Sequence, residues 1–514
     1  MKQQLKSRLY TLLPLLLSIL FILASVGLFY YIKGYRFDFQ TQQISNTGVL
    51  TIDTIPSRSS LYVNDKTYGK TPKSVSLKGG DHDIKIERDG YHDWSKSINI
   101  TEGKSSSIYP WLITDNIKSE SIFTSSKIID TNHIYQNDNS IFFILYEDLN
   151  NTRNYELWRL STDSAIWDFS ENPSLVLTFD SLIDSEFDFN ILPSNDSSIV
   201  LFSLNNNSVK SRYLIETNKQ NILDNLSPIT LNGFTDYSIS WSKSDEYLIL
   251  ESDGDIFSYD IDTEIKYLIT KKSTDTFYTF TTDTEGLIYL MTGILEEDIY
   301  NYSLSQYLPN GTLQKELLPN IYFYNSSSYL EDYKSEGTND YSLPFKNSQE
   351  STKTCGKITS FSVETDVNGV FIKTEFAGYW YDITSTKFIL ISPYSTNLIG
   401  ISPLKNQLLY QNTKEIGVLT FDIEDGAPDQ YIGKKSSWGL DSTLISNIQW
   451  LSTGKNVIFI KEEKMYVSDY EGENVVVISS NPPLFISNEQ DPSKVFTATI
   501  PTDGGIEITE LDIH

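Results

Sequence analysis

The sequence predicts a mainly β protein held to a membrane by one N-terminal helix, and three observations carry that prediction. Leu9 to Ile32 are 24 successive residues without a charge, between Lys2, Lys6 and Arg8 on one side and Lys33 and Arg36 on the other. After residue 36 no convincing amphipathic helix occurs, while Tyr, Phe and Trp number 33, 26 and 8, a composition that favours strands. From residue 118 to the end, short apolar runs recur every 40–50 residues.

The first element is the helix. About 20 apolar residues at about 1.5 Å each cross a hydrocarbon core, so Leu9–Ile32 spans one with room for tilt. Pro14 lies in its first half, where it is tolerated or kinks the helix. The rival is a secretory signal, whose apolar region runs about 7–15 residues to a small-residue cleavage site. Ala24-Ser25-Val26 has that look, but the apolar run continues through Leu28, Phe29, Tyr30, Tyr31 and Ile32. Tyr30-Tyr31 before Lys33 is the chemistry of an interfacial anchor. The expectation is an uncleaved single-pass anchor in the cell membrane. Residues 1–8 carry three bases and no acid, which favours a cytoplasmic N-terminus and an extracytoplasmic bulk. Residues 33–46 read as a short polar linker.

Residues 47–113 read as a small β module. Gly48–Asp53 alternates like a half-buried strand, and Pro56-Ser57-Arg58-Ser59 interrupts it. Ser60–Val63 is a second strand, followed by turn chemistry at Asn64-Asp65-Lys66 and Gly69-Lys70-Thr71-Pro72. Val75 and Leu77, then Asp81–Glu87, then Ser97–Ile100 supply further strands, broken at Gly79-Gly80 and Asp89-Gly90-Tyr91. Pro56, Val63, Asp65, Gly69-Lys70-Thr71-Pro72, Leu77, Gly80, Ile84, Ile86, Gly90-Tyr91 and Trp94 fall in the order and spacing of the PEGA-domain family, which the module resembles. The name-giving tetrapeptide is replaced by Pro56-Ser57-Arg58-Ser59, with the turn proline kept. The resemblance implies a small β-sandwich, often beside a membrane anchor in surface proteins, and implies architecture more than activity. Gly90 is expected to supply a backbone angle other residues resist, and Tyr91 and Trp94 to cover the sheet. Tyr91, Trp94 and Trp111 are the candidate ligand-binding residues, as glycan- or wall-binding aromatics.

Residues 118–514 read as a repeating β region. Anchors at Pro193, Ser242, Thr282, Glu364, Pro403, Leu451 and Asn488 are 49, 40, 82, 39, 48 and 37 residues apart, with an earlier weak copy near His133. A period of about 40–50 in an all-β chain marks a propeller with four strands per blade, here seven or eight blades. The 82-residue interval reads as two repeats, with 305–357 a degenerate blade or an insertion. The strand near Ile122–Ile129 is placed to complete the last blade. Ile239-Ser240-Trp241-Ser242 before Glu246-Tyr247-Leu248, and the copy at Trp450, resemble the WD40-like repeat of TolB-type propellers, without the usual Pro and Gly.

Charge divides unevenly. Residues 1–113 hold 14 bases and 9 acids, and the remainder 26 bases and 59 acids. So acidic a region repels phosphate backbones, which excludes nucleic acid as a partner. The single cysteine, Cys355, permits no intrachain disulfide; its neighbours Lys353 and Lys357 would lower the pKa of a solvent-side thiol. No zinc spacing, phosphate loop or nucleophile elbow occurs, and the four histidines are scattered. Asp253, Asp255, Asp260 and Asp262 suggest calcium, but a strand separates Asp255 from Asp260, so turn roles are expected. No metal, cofactor or catalytic residue is assigned. The expected function is a membrane-anchored, non-catalytic binding or assembly scaffold with a protein or cell-envelope glycan partner. The alternatives are a glycan-binding adhesin and a propeller enzyme with channel carboxylates. Carboxylates meeting a cation at the channel mouth favour the enzyme; an exposed aromatic patch favours the adhesin.

Overall fold

The computed structural model describes residues 17–26, 28–29, 35–38, 43–137, 140–161, 173–182, 187–206, 209–229, 238–273, 276–326, 342–343, 354–423, 426–427, 432–438, 445–481, 483–488, 493–501 and 505–514. The chain forms two compact units, one of residues 1–116, 423–431 and His514, the other of residues 117–422 and 432–513.

In the first unit, residues 17–26 and 28–29 are helical. Leu17, Ile19, Leu20, Phe21, Ile22, Leu23, Val26, Leu28 and Phe29 are all exposed, so the helix is apolar on every side. Ser25 Oγ donates to Phe21 O at 2.8 Å, which satisfies a hydroxyl within the helix itself. Among the described residues no helix is long and apolar enough to cross a membrane. The expected span began at Leu9; 9–16, 27 and 30–32 lie outside the described residues.

The stretch read as a linker is instead a strand pair. β1 (Tyr35–Asp38) runs antiparallel to the start of β2 (Gln43–Ile52), with Tyr35 opposite Asn46 and Asp38 opposite Gln43. Tyr35-Arg36-Phe37-Asp38 alternates aromatic with charged residues, a period-2 signal that the polar average over 33–46 hid. The module has two four-stranded sheets. One joins β1, β2, β5 (Lys73–Lys78) and β8 (Ser105–Ile108); the other joins β3 (Ser60–Val63), β4 (Lys66–Lys70), β6 (Gly80–Glu87) and β7 (Trp94–Ile100). Inward-facing Leu50, Ile52, Leu61, Val75, Ile84, Ile86 and Ile98 make one core, each worth about 1.5–3 kcal/mol by burial. Thr71, in the Gly-Lys-Thr-Pro turn, is a buried polar pin. Its Oγ1 meets Thr54 Oγ1 at 2.5 Å and accepts from Ser59 N at 3.1 Å.

The second unit contains eight sheets among the described residues, antiparallel except for one short parallel pair in the first. The first holds β10 (Ile128–Gln136), β11 (Ser140–Leu149), β12 (Thr152–Ser161) and β13 (Ser174–Leu182). The second holds β14 (Phe187–Pro193), β15 (Ile199–Asn206) and β16 (Val209–Glu216). Its successor begins with β18 (Ser238–Trp241), after β17 (Asn221–Ile222) has paired in parallel with β13. Sheets four to seven begin at Thr276, Ile358, Asn397 and Ile445. The eighth joins Phe485–Asn488, Lys494–Thr499 and Ile506–Asp512 to β9 (Lys118–Ser125), so the two ends of the unit meet in one sheet, Ile508 opposite Phe123.

The second strand of each sheet is a continuous apolar run rather than an alternating one, because neighbouring sheets cover both its faces. Ile141–Leu145, Val200–Phe202, Leu248–Leu250 and Val457–Phe459 are buried accordingly. Single hydrophobic clusters bridge consecutive sheets, as where Phe142, Leu157 and Phe179 meet Phe189, Val200 and Phe202.

Among the described residues the 82-residue interval holds one repeat. Thr282 ends the first strand of the fourth sheet and Glu364 the first strand of the fifth, with no sheet between them among the described residues. The extra length lies in the long strands Ile299–Tyr307 and Leu313–Tyr324, regular members of the fourth sheet, and in the segment after them. Ser342–Leu343 adds a short strand to the fifth sheet's edge.

Candidate functional site

In six sheets the first strand ends in the same four-residue turn. Ser197 N donates to Ser194 O, Asp245 N to Ser242 O, Gly286 N to Asp283 O, Asn368 N to Thr365 O, Lys405 N to Ser402 O and Gly454 N to Leu451 O. The donor residue is left-handed every time, with φ between 50° and 79°. Five of the six donors are Asn, Asp, Ser or Gly, residues suited to turns of this kind, and Lys405 is the exception.

The turns of successive sheets interlock. The Asp245 carboxylate accepts from Asn195 N at 2.6 Å, Asp196 N at 2.8 Å and Asn195 Nδ2 at 2.7 Å, clasping the third sheet to the second. Burial nonetheless pushes its pKa up, against those hydrogen bonds. Lys243 N donates to Thr282 Oγ1 at 2.9 Å, and Lys405 Nζ pairs with Asp366 at 2.7 Å. Trp241 Nε1 donates to Leu192 O at 2.7 Å, and Trp450 Nε1 to Gly400 O at 3.2 Å. Both repeat tryptophans therefore staple a first strand to that of the preceding sheet.

Turns of the third to sixth sheets enclose a cavity of about 270 Å³, lined by Lys243, Asp283, Glu364, Asp366 and Lys405 with Val363, Val367 and Ile401 among the apolar residues. Asp283 is 2% exposed and structurally committed, accepting from Glu285 N, Leu287 N and Tyr289 OH at 2.7–3.0 Å. Burial and that carboxylate raise the Tyr289 phenol well above its usual range. Glu364 accepts from Ser362 Oγ at 2.5 Å. Asp366 and Lys405 are exposed partners, so their pairing contributes little to stability. The cavity is smaller than common small-molecule sites of about 300–1,000 Å³ and offers both signs of charge.

Trp111 is buried, its ring stacked on His514 at 5.8 Å with an interplanar angle of 9°. Tyr91 is half-buried and lies 5.7 Å from the same histidine, with Arg88 over its ring. Trp94 is half-buried against the module core, opposite Ile86. His514 thus joins Tyr91 to Trp111, a relation invisible in sequence. Gly90 takes φ 81°, as a turn glycine should. Cys355 departs from expectation: it is fully buried, its backbone N donates to Tyr379 OH at 2.9 Å, and burial raises the thiol pKa to about 11. Desolvation dominates its chemistry, and Lys353 lies outside the described residues. Asp260 Oδ1 accepts from Asp262 N and Thr263 N, and Asp255 Oδ1 from Lys272 N, which are turn and strand-end roles.

Residues 47–112 match the PEGA domain, and that part of the chain is a PEGA domain. No curated protein matches the chain. Among solved structures, Porphyromonas gingivalis dipeptidyl peptidase 4 is similar at 10% identity and a TM-score of 0.41, over 76% of this chain and 58% of that one. The chain therefore spans just over half of that peptidase's length. A structure of the eukaryotic initiation factor is similar at 8% identity and a TM-score of 0.40, over 75% of this chain and 93% of that one. The protein is mainly β with propeller-like neighbours. Likenesses at this level say nothing of activity.

Proposed function

We propose that this protein is a single-pass, membrane-anchored, extracytoplasmic scaffold that binds or assembles partners without catalysing a reaction. In this reading residues 1–8 are a cytoplasmic tail, Leu9–Ile32 is the membrane span, the PEGA domain follows it, and residues 118–514 form an eight-bladed β-propeller. The observation that carries the membrane half is the helical stretch at 17–26 and 28–29, apolar on every side and covered by nothing among the described residues. Eight sheets in series, with β9 completing the last, support the propeller. The interlocked turns support a rigid frame, since loops on a stiff scaffold are the usual seat of recognition.

The test is fractionation and protease access. The full chain should stay with membranes through carbonate washing, and protease added to intact cells should cut the region beyond residue 36. Recovery of the mature chain free in the medium, or complete protection of the C-terminal half, would refute the reading.

A second reading has one specific observation behind it. Three carboxylates and two ammonium groups line the 270 Å³ cavity, the arrangement that favours a channel enzyme. Against it, Asp283 is sealed by three hydrogen bonds. Glu364→Gln and Asp366→Asn, screened against glycoside and uronide substrates, decide between the two. Turnover lost in both variants would make the protein an enzyme. The adhesin reading through Tyr91, Trp94 and Trp111 is tested by glycan arrays with Tyr91→Ala and Trp94→Ala.

A further inference from the structure

The cavity among the turns of the third to sixth sheets is held open by the frame rather than by the side chains that line it. Lys243 N is fixed to Thr282 Oγ1 at 2.9 Å, and Asp283 caps the fourth turn through Glu285 N and Leu287 N. A Cβ placed on Gly286 would lie 2.6 Å from Ser244 Oγ, and one on Gly454 2.6 Å from Leu404 Cγ, so neighbouring turns already touch. Val367 and Ile401 are anchored from behind by the cluster of Phe371 and Leu408.

Setting aside the groups already engaged leaves two. Asp283 is committed to Glu285 N, Leu287 N and Tyr289 OH, and Lys405 Nζ to Asp366 Oδ2. Lys243 touches the fourth sheet through its backbone alone, and its Nζ has no hydrogen-bond or ion-pair partner among the described residues. Glu364 accepts from Ser362 Oγ through Oε1, and its Oε2 has no partner among the described residues. One ammonium and one carboxylate oxygen therefore line the same space of about 270 Å³, roughly 8 Å across if round. Displacing water from it requires a partner of opposite sign for each. Val363, Val367 and Ile401 supply an apolar side. An α-amino acid carries both charges on one carbon, and at about nine non-hydrogen atoms leucine fits below the usual range of drug-sized sites. A zwitterion is also neutral overall, so a chain of net charge −28 does not repel it as it repels an anion.

We infer that this cavity binds one free apolar α-amino acid of about the size of leucine. Lys243 takes its carboxylate, Glu364 takes its ammonium, and Val363, Val367 and Ile401 take its side chain. The inference goes beyond the scaffold reading, rests on none of its membrane claims and assigns no reaction. A chain terminus presents only half of this chemistry, because a peptide's amino end lacks the carboxylate and its carboxyl end lacks the ammonium.

The experiment is calorimetric titration of the full chain in detergent with L-leucine, L-leucinamide and N-acetyl-L-leucine. It is run at about pH 6.5, where a free α-amino group keeps its proton. Leucine should bind at least about tenfold more tightly than either blocked form, the loss expected when a charge-assisted hydrogen bond is withheld. Lys243→Gln should remove the discrimination against leucinamide, and Glu364→Gln the discrimination against N-acetylleucine. Both variants keep the turn contacts, since Lys243 meets Thr282 through its backbone and glutamine at 364 still accepts from Ser362. Leucinamide binding as tightly as leucine overturns the inference in favour of a peptide amino terminus, and N-acetylleucine doing so overturns it in favour of a carboxyl terminus. No binding of leucine up to about 50 mM overturns it outright. So does unchanged discrimination in either folded variant. Should a variant not fold, the three ligands on the unaltered chain still decide.

Discussion

Trp241→Phe tests whether the repeat tryptophans act as hydrogen-bonded staples or as bulk. Trp241 is 8% exposed, packs with Leu201, Leu248 and Leu250, and gives its indole proton to Leu192 O at 2.7 Å. Phenylalanine keeps most of the aromatic contact and removes the donor. A lost hydrogen bond of this kind costs about 0.5–1.5 kcal/mol net, and a poorly satisfied carbonyl brings the hydrogen-bond penalty to about 1–3 kcal/mol. The smaller ring leaves a void of a few tens of Å³, adding roughly 1 kcal/mol at about 24 cal/mol per Å³. The expected total is about 2–4 kcal/mol. Trp450, equally buried but bonded to Gly400 O at 3.2 Å, should cost about 1–2 kcal/mol as Phe. The two lie in separate hydrophobic clusters, so the double variant should be additive within about 0.5 kcal/mol. The assay is urea unfolding followed by tryptophan fluorescence, read as a shift in midpoint at constant slope. A Trp241→Phe cost below about 0.5 kcal/mol, or a larger cost at Trp450, would refute the staple argument.

Asp245→Ala removes the acceptor of three hydrogen bonds from Asn195 and Asp196 and should destabilise by about 1.5–3 kcal/mol, measured in the same unfolding assay. Cys355 should resist iodoacetamide in the native protein at pH 8, with alkylation appearing only on denaturation, because burial holds its pKa near about 11. Burial pulls the Lys435 ammonium down to about 7, against the attraction of Glu415. Between that value and the usual 10.5 the unfolded chain carries a proton on this lysine that the folded chain lacks, so stability from this group rises with pH. Lys435→Met should therefore raise stability at neutral pH and flatten the slope between about pH 7 and 9, as unfolding midpoints across that range would report.

The strands of the PEGA domain were legible wherever one face was apolar: Ser60–Val63 and the Ile84-Ile86 strand lie where alternation put them. β4 and β8 were missed because every residue of β4 is exposed and Ser105-Ser106-Ser107 carries no apolar signal; their hydrogen bonds come from neighbours, not from their own composition. In the larger unit the apolar second strands announced the repeat. The 82-residue gap misled because strand length varies between sheets, and a count of residues cannot separate a long hairpin from an extra sheet. Cys355 was misread because adjacency in sequence says nothing about depth. The cavity bounded by Lys243, Asp283, Glu364 and Lys405 was not legible at all, because it is assembled from the turns of four sheets that only folding brings together.

The pairing of β9 with Ile506–Asp512 has a consequence for biosynthesis. Synthesis runs from N to C, so Lys118–Ser125 must wait, its backbone groups unsatisfied, until nearly four hundred further residues have emerged. A nascent chain in that condition exposes a ready template for aggregation, and a premature stop codon between Ser125 and Ile506 leaves the template permanently bare. Quality control would then need to recognise no sequence signal in a truncated product, only a strand that never found its mate.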